Sequence, residues 1–377
     1  MRILITGGAG FIGTHLARRL KQEGYSVVLF DNLSPQVHGD APKRDDSGFE
    51  TIWADVRDTD ALARALAGVS VVYHLAAETG VGQSQYEVGR YVSVNTYGTA
   101  VLLEAAAAAR VRHVVIASSR AVYGEGRYRC AACEIVFGGL GRRVPELEAG
   151  VWDQRCPRCA HEAEPLPMGE YIPPAPTSVY GVTKWQQEQL ARAVSEALGL
   201  PITILRFFNV YGPGQSLHNP YVGVLGVFFR RALNDETVEV FEDGQMRRDF
   251  VYVADVVEAI RLCTGNERSF GQTLNVGTGA SVTLLEIAYA LFEVLGREPR
   301  VAVSGRYRIG DVRHASSDPE RLEKVLGFRP MILFAHGLPE YVAWALENQA
   351  EASDGTAEQQ LVAHGLLRQG TGRSTTS

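Results

Sequence analysis

The chain has 377 residues, 46% hydrophobic and 21% charged, enough to bury a large core as one composite unit of two lobes. A formal net charge of −6 argues against non-specific binding to nucleic acid or an anionic membrane, and no apolar run reaches the ~18–20 residues that span a bilayer. The N-terminal apolar residues are cut at once by Thr6, Gly7 and Gly8, and four of the five cysteines fall in two close pairs; neither a signal peptide nor a disulfide scaffold is indicated, and a cytoplasmic location is expected.

Residues 2–6 (RILIT) read as a buried parallel strand. Gly7, Gly8, Gly10 and Gly13 follow, then an amphipathic helix from Phe11 to Glu23 with Leu16, Ala17 and Leu20 on one face. Gly24 closes it, and a second strand, 26–30, ends in Asp31. Strand, glycine turn, helix, strand and acidic residue in this order form a dinucleotide-binding βαβ unit, with the pyrophosphate seated on the helix N-terminus. A carboxylate at Asp31 suits the two ribose hydroxyls of NAD and repels the 2′-phosphate of NADP.

Further strands are predicted at 50–54, 70–75 and 112–117, with helices near 59–67 and 95–110, which implies a doubly wound parallel sheet. Ligands in such sheets bind beyond the carboxyl ends of the strands. Asp55-Val56, His74-Leu75-Ala76-Ala77 and Ser118-Ser119 stand at three such ends.

Two CxxC pairs come next, Cys130/Cys133 and Cys156/Cys159, with 22 residues between them. Four thiolates at this spacing can converge tetrahedrally on a structural zinc and close a small ribbon, leaving no open position for catalysis. Two redox pairs or unpaired thiols are the alternative, and His161 is a substitute ligand that the site does not need. The ribbon is expected to be a flap over the substrate pocket or a partner contact.

Tyr180-Gly-Val-Thr-Lys184 places a phenol and an ammonium on one helix face. The ammonium, with a nicotinamide ring beside it, is expected to favour the phenolate, which then takes a proton from a hydroxyl as hydride leaves the same carbon.

Over about residues 1–345 the chain resembles the extended short-chain dehydrogenase/reductases, in their nucleotide-sugar epimerase and dehydratase branch. The resemblance is carried by TGGAGFIG (6–13), DNLS (31–34), ADVRD (54–58), HLAA (74–77), SSRAVYG (118–124), PTSVYGVTK (176–184), RFFNVYGP (206–213), RRDFVYVADV (247–256) and NVGTG (275–279). It implies Ser119, Tyr180 and Lys184 as the catalytic trio, and a tightly bound NAD held by Gly7, Gly10, Phe11, Ile12, Gly13, Asp31, Asn32, Asp55, Val56, Leu75, Ala76, Ala77, Asn95, Tyr180 and Lys184. It also implies that Ser119, Asn209, Arg248 and Arg308 hold a nucleotide sugar by its reacting hydroxyl and diphosphate. Arg231 and Arg247 are left open between diphosphate contact and solvated surface. Cys263, among apolar helix residues, reads as a core filler.

Dehydratases of this branch carry an acidic pair after the catalytic Ser/Thr. Here those positions hold Arg120 and Ala121, so the resemblance implies epimerisation at C4 through a 4-keto sugar. Ala315, at the family's gatekeeping position, implies a roomy pocket. The segments NLSPQVHG (32–39) and GVGQSQYEV (80–88) and the cysteine insert are similar to a subgroup associated with dTDP-L-rhamnose 4-epimerase. The alternatives are a UDP-hexose or UDP-uronate 4-epimerase, a nucleotide-sugar dehydrogenase or reductase using free NAD(H), and a non-catalytic nucleotide-binding protein, against which the intact trio argues.

The expected architecture is α/β: a Rossmann-type doubly wound sheet (1–125 and 175–208), a zinc-ribbon-like insert (126–174), a smaller α/β substrate lobe (209–346) with some segments returning to the sheet, and a C-terminal tail (347–377). The tail is Ala-, Gly-, Ser- and Thr-rich apart from a helix near 356–368 and is expected to fray. Family members pair through helices corresponding to 95–110 and 178–196, so the resemblance implies a homodimer.

Overall fold

Short runs rich in Val, Ile and Leu are buried on both faces and pair in parallel: β1 (Arg2–Thr6), β2 (Ser26–Asp31), β3 (Glu50–Trp53), β4 (Val71–His74), β5 (His113–Ser119), β6 (Ile202–Phe207) and β7 (Thr273–Val276). The computed structural model describes residues 1–39, 48–217, 219, 221, 223–348 and 356–370. The sheet order is β3-β2-β1-β4-β5-β6-β7, so β1 lies between β2 and β4 and the strand order reverses beside it. Ile5, for example, pairs with Leu29 on one side and Tyr73 on the other.

The period of two along each strand divides the core. Ile3 and Ile5 face one apolar cluster, which includes Leu16 and Leu20 of the helix Phe11–Gln22, while Leu4 faces a second, with Leu102 and Ala106 of the helix Gly98–Ala108. The helix Val179–Leu198 packs on that second face. Ser178 starts it, with its Oγ accepting from Gly181 N at 3.1 Å, and Gly199 ends it in the left-handed region at φ 65°.

The second lobe is built from the strands Asn209–Tyr211, Arg247–Tyr252, Ser281–Thr283 and His314–Ala315, which share one mixed sheet. The strand β7 leaves this part of the sequence to join the main sheet. Between β5 and the helix Val179–Leu198, the insert forms an antiparallel three-stranded sheet in which Arg127–Cys130 lies between Ile135–Gly138 and Glu164–Leu166.

The expectation that the tail frays fails for residues 356–370. Thr356–Ala363 is helical, and Leu367–Gln369 pairs antiparallel with Arg306–Arg308. Leu361 and Leu367 are buried, and their apolar contact holds the segment where composition alone pointed to solvent. The remaining tail calls, at 349–355 and 371–377, lie outside the described residues. Among the described residues no helix is long and apolar enough to cross a membrane.

Candidate active site

The glycine turn after β1 is shaped by close approach. Gly7 has φ +68°, and a Cβ there would lie 2.8 Å from Ala76 N and 2.9 Å from Leu75 C. At Gly13 a Cβ would meet Gly7 O at 2.3 Å. The turn therefore lies directly against Leu75 and Ala76 at the end of β4. Gly10 caps the helix Phe11–Gln22 with no side-chain hydrogen bond, so the first N–H groups, those of Phe11, Ile12 and Gly13, keep their affinity for an anion.

At the end of β2, Asp31 accepts from Ala9 N at 3.0 Å and Leu33 N at 2.9 Å, which aims its carboxylate beside the turn. Asn32 donates to Asp55 Oδ2 at 3.0 Å. The Arg57 guanidinium, at 2.7 Å, holds the Asp55 carboxyl down at about 2. Val56 is buried against Gly98, and Ala77 follows Ala76 on the same strand-end loop. These residues fit a dinucleotide: an uncapped helix end for the pyrophosphate and an oriented carboxylate for the ribose. Asn95 fastens the loop at this strand end. It is buried, donates to Glu78 O and Thr183 Oγ1 and accepts from Glu78 N, so its amide ties the loop after β4 to the helix Val179–Leu198.

Ser119 ends β5, and its Oγ accepts from Ala121 N at 3.2 Å. Tyr180 stands one residue inside its helix, with its N–H fixed by Ser84 Oγ at 3.0 Å. Lys184 is buried one turn on. Its Nζ lies 6.0 Å from the Tyr180 ring centre and donates to Ala117 O at 2.8 Å, and burial lowers its pKa to about 7. Three effects act on Tyr180 besides the lysine. Burial raises the phenol above its ordinary value, and the groups that oppose this are the Ser119 hydroxyl, by hydrogen bonding, and the Arg120 guanidinium.

Tyr180, Arg120, Asn209, Arg248 and Arg308 line one cavity of about 730 Å³. Arg120 Nε donates to Asn209 Oδ1 at 3.1 Å; burial first, then the charge of Arg248, lowers its pKa to about 10. Arg248 Nη2 donates to Val312 O at 2.8 Å and lies 3.4 Å from Asp311 Oδ1, and Arg308 Nη2 donates to Asp311 Oδ2 at 2.7 Å. Asp311 thus orients two guanidinium groups into the cavity, an arrangement suited to two phosphates. Arg231 also lines it, whereas Arg247 is exposed and belongs to a different, smaller cavity.

Two expectations need correction. Ala315 does not line the main cavity: it is buried in the strand pair with Arg248 and faces the smaller one. Nor does the insert cover the main cavity, since none of residues 126–174 lines it. Arg142 and Asp153 instead anchor the insert to the second lobe, through Glu242 at 2.8 Å and Arg313 at 2.8 Å. Its four cysteines are unbridged, and their sulfurs all lie within 4.8 Å of one another. Cys130 and Cys159 are 3.5 Å apart, Cys133 and Cys156 4.0 Å, close to the ~3.8 Å edge of a tetrahedron with zinc–sulfur bonds of about 2.3 Å. Glu134 and Ala160, each directly after a pair, share a positive φ of 56° and 60°, so the two turns have like geometry. His161 stays outside the cluster, and Cys263 is buried in the core.

Sequence reasoning read Arg120 only as a missing acid and overlooked Asp311, although its place three residues after Arg308 was a usable signal. It also missed the tail residues Glu358, Leu361 and Leu367 in the cavity wall, for which no local motif exists.

The profile of the NAD dependent epimerase/dehydratase family matches residues 3–135 and 157–277, with its break inside the cysteine insert. A dTDP-L-rhamnose 4-epimerase of Burkholderia thailandensis is 39% identical over 91% of this chain and 94% of its own length. Among solved structures, the Thermotoga maritima UDP-glucose 4-epimerase with UDP-glucose superposes with a TM-score of 0.75 at 30% identity, covering 93% of this chain and 100% of that one. The Thermus thermophilus UDP-glucose 4-epimerase complex with NAD gives 0.73 at 30% identity, covering 91% and 98%.

Proposed function

The chain belongs to the NAD dependent epimerase/dehydratase family and is an NAD-dependent nucleotide-sugar epimerase, and within it we propose a dTDP-L-rhamnose 4-epimerase that forms dTDP-6-deoxy-L-talose. The observation that carries epimerisation over dehydration is the neighbour of Ser119. Arg120, in the cavity with Tyr180, is neither an acid nor a base for expelling water, so the site serves one carbon. The sugar is supported by the likeness to the Burkholderia enzyme. A UDP-hexose or UDP-uronate is the second reading, favoured by the likeness to the Thermotoga protein.

Bound NAD supplies the hydride acceptor and donor, held by the glycine turn, Asp31 and Lys184. Ser119 holds the 4-hydroxyl against Tyr180, which takes its proton, and Ser119 and Arg120 stabilise the phenolate against the cost of burial. Arg248 and Arg308 grip the diphosphate while the 4-keto sugar turns about that linkage. Tyr180 then returns the proton to the 4-oxygen, with the opposite face of C4 now presented to the cofactor, which would give back the hydride.

Cys130, Cys133, Cys156 and Cys159 would hold a structural zinc. The proposed assembly is a cytoplasmic homodimer through the helices Gly98–Ala108 and Val179–Leu198, where Tyr97, directly before the first, is 56% exposed and Val182 37%.

Purified protein incubated with dTDP-L-rhamnose, UDP-glucose or UDP-glucuronate, without added cofactor, should give an epimer from the dTDP sugar alone. Turnover of a UDP sugar instead would reassign the nucleotide. Steady absorbance change at 340 nm with free NAD would establish a dehydrogenase.

A further inference from the structure

The C-terminal segment 356–370 forms part of the cavity that holds Tyr180. Glu358, Leu361 and Leu367 line it, and both leucines are 6% exposed, so the segment presents apolar side chains inward like any other wall. Its attachments reach both halves of the molecule. On the second lobe, Glu358 accepts from Arg231 Nη2 and Arg306 Nη1, each at 2.6 Å, and Leu367 stands opposite Arg308 in the strand pair. On the sheet side, the ring of His364 stacks on Tyr86 at 4.1 Å and 8°, and a Cβ on Gly82 would meet Leu361 Cδ2 at 2.8 Å. The segment therefore spans the cavity from one lobe to the other.

Its position along the cavity follows from a chain of neighbours. Arg120 acts on Tyr180, Arg248 acts on Arg120, and Asp311 joins Arg248 to Arg308. Beyond Arg308 comes Phe241, whose ring lies 5.9 Å from that guanidinium and 5.6 Å from that of Arg306, and Arg306 ends on Glu358. With the sugar at Tyr180 and the diphosphate at Arg248 and Arg308, the space beside Phe241 and Glu358 falls to the nucleoside.

We infer that residues 356–370 are a substrate-binding wall that sets the affinity for the nucleoside end of the nucleotide sugar, with Glu358 as the latch that docks it. This rests on the nucleotide-sugar reading of the cavity. Because the wall joins both lobes, it closes the site over the bound substrate and keeps water from the keto intermediate. Its contribution is binding, so its loss raises KM more than it lowers kcat.

The test is calorimetric titration of dTDP and UDP into the full chain, a chain ending at Asn348, and the Glu358→Arg variant, whose new cation faces Arg231 and Arg306. Retained NAD and thermal unfolding are recorded for each. The full chain should bind its preferred diphosphate, and both variants should keep NAD but bind it about tenfold or more weakly. Equal affinity in the full chain and Glu358→Arg, or in the shortened chain with NAD retained, would overturn the inference and leave the epimerase reading standing. If shortening costs the fold, Glu358→Arg decides alone. Failure of the full chain to bind either diphosphate would overturn the nucleotide-sugar reading itself, and this inference with it.

Discussion

Arg313 grips Asp153 with both arms of its guanidinium, Nε to Oδ1 at 2.8 Å and Nη2 to Oδ2 at 3.0 Å, joining the second lobe to the cysteine insert. The same side chain, 1% exposed, also reaches Glu242 at 3.0 Å and Asp243 at 2.6 Å, and its carbonyl accepts from Arg248 Nη1 at 3.1 Å. The insert is thereby coupled to a guanidinium of the cavity without entering it.

Replacing Arg313 by Met should leave Asp153, Glu242 and Asp243 without the guanidinium they share, with only Glu242 keeping a second one, that of Arg142. Removing one partner from a buried pair costs about 3–5 kcal/mol. The urea midpoint should fall accordingly, while Asp153→Asn, which leaves Arg313 its two other acids, should cost much less.

Glu125 imposes a pH dependence on the same junction. Its carboxylate accepts from Tyr128 Oη at 3.1 Å and Arg313 N at 3.2 Å, and burial raises its pKa to about 7. Between the unfolded value of 4.5 and about 7 the native state binds more protons than the unfolded one. The stability this group contributes is therefore full below 4.5 and is lost as pH rises through 7. Glu125→Gln should flatten that part of a stability-against-pH curve.

Tyr180→Phe should lower kcat by about 10²–10⁴-fold while bound NAD and the melting temperature stay unchanged, because only the phenolic oxygen is removed. Retained turnover would exclude Tyr180 as the base.

One zinc per chain is expected in metal analysis of the purified protein. Cys133→Ser should reduce its occupancy and loosen the insert, read as faster proteolysis between residues 126 and 174, with the NAD-bearing sheet intact. Four reduced thiols with no metal would refute the site.

Gly7→Ala should cost more than about 1 kcal/mol and release NAD, since the positive φ and the backbone of Ala76 both exclude a Cβ. Chromatographic assay of the NAD that stays with the purified protein and a thermal melt would record both effects.

Much of this molecule was legible in one dimension. The glycine turn, Asp31 and the Tyr180–Lys184 spacing are local patterns, each set by a single turn or helix face, and the CxxC spacing is equally local. What spacing could not show at Tyr180 is its surroundings: burial raises the phenol, and the Ser119 hydroxyl and the Arg120 guanidinium oppose this. Ala315 was misplaced for a related reason, because it is packed into a buried apolar cluster with Val122, Tyr123 and Met168 that no local pattern announces.

Sequence periodicity was enough to specify a parallel sheet, a dinucleotide turn and a phenol–ammonium pair, because backbone sterics and side-chain period act over a few residues. Tertiary structure alone decided which distant charges meet: Asp311 with Arg248 and Arg308, Asp153 with Arg313, and Glu358 with Arg231 and Arg306. Guanidinium and carboxylate groups carry no register of their own. Their partners are chosen by the packing of the apolar surfaces beneath them, and that packing brought a tail expected to fray into the wall of the substrate cavity.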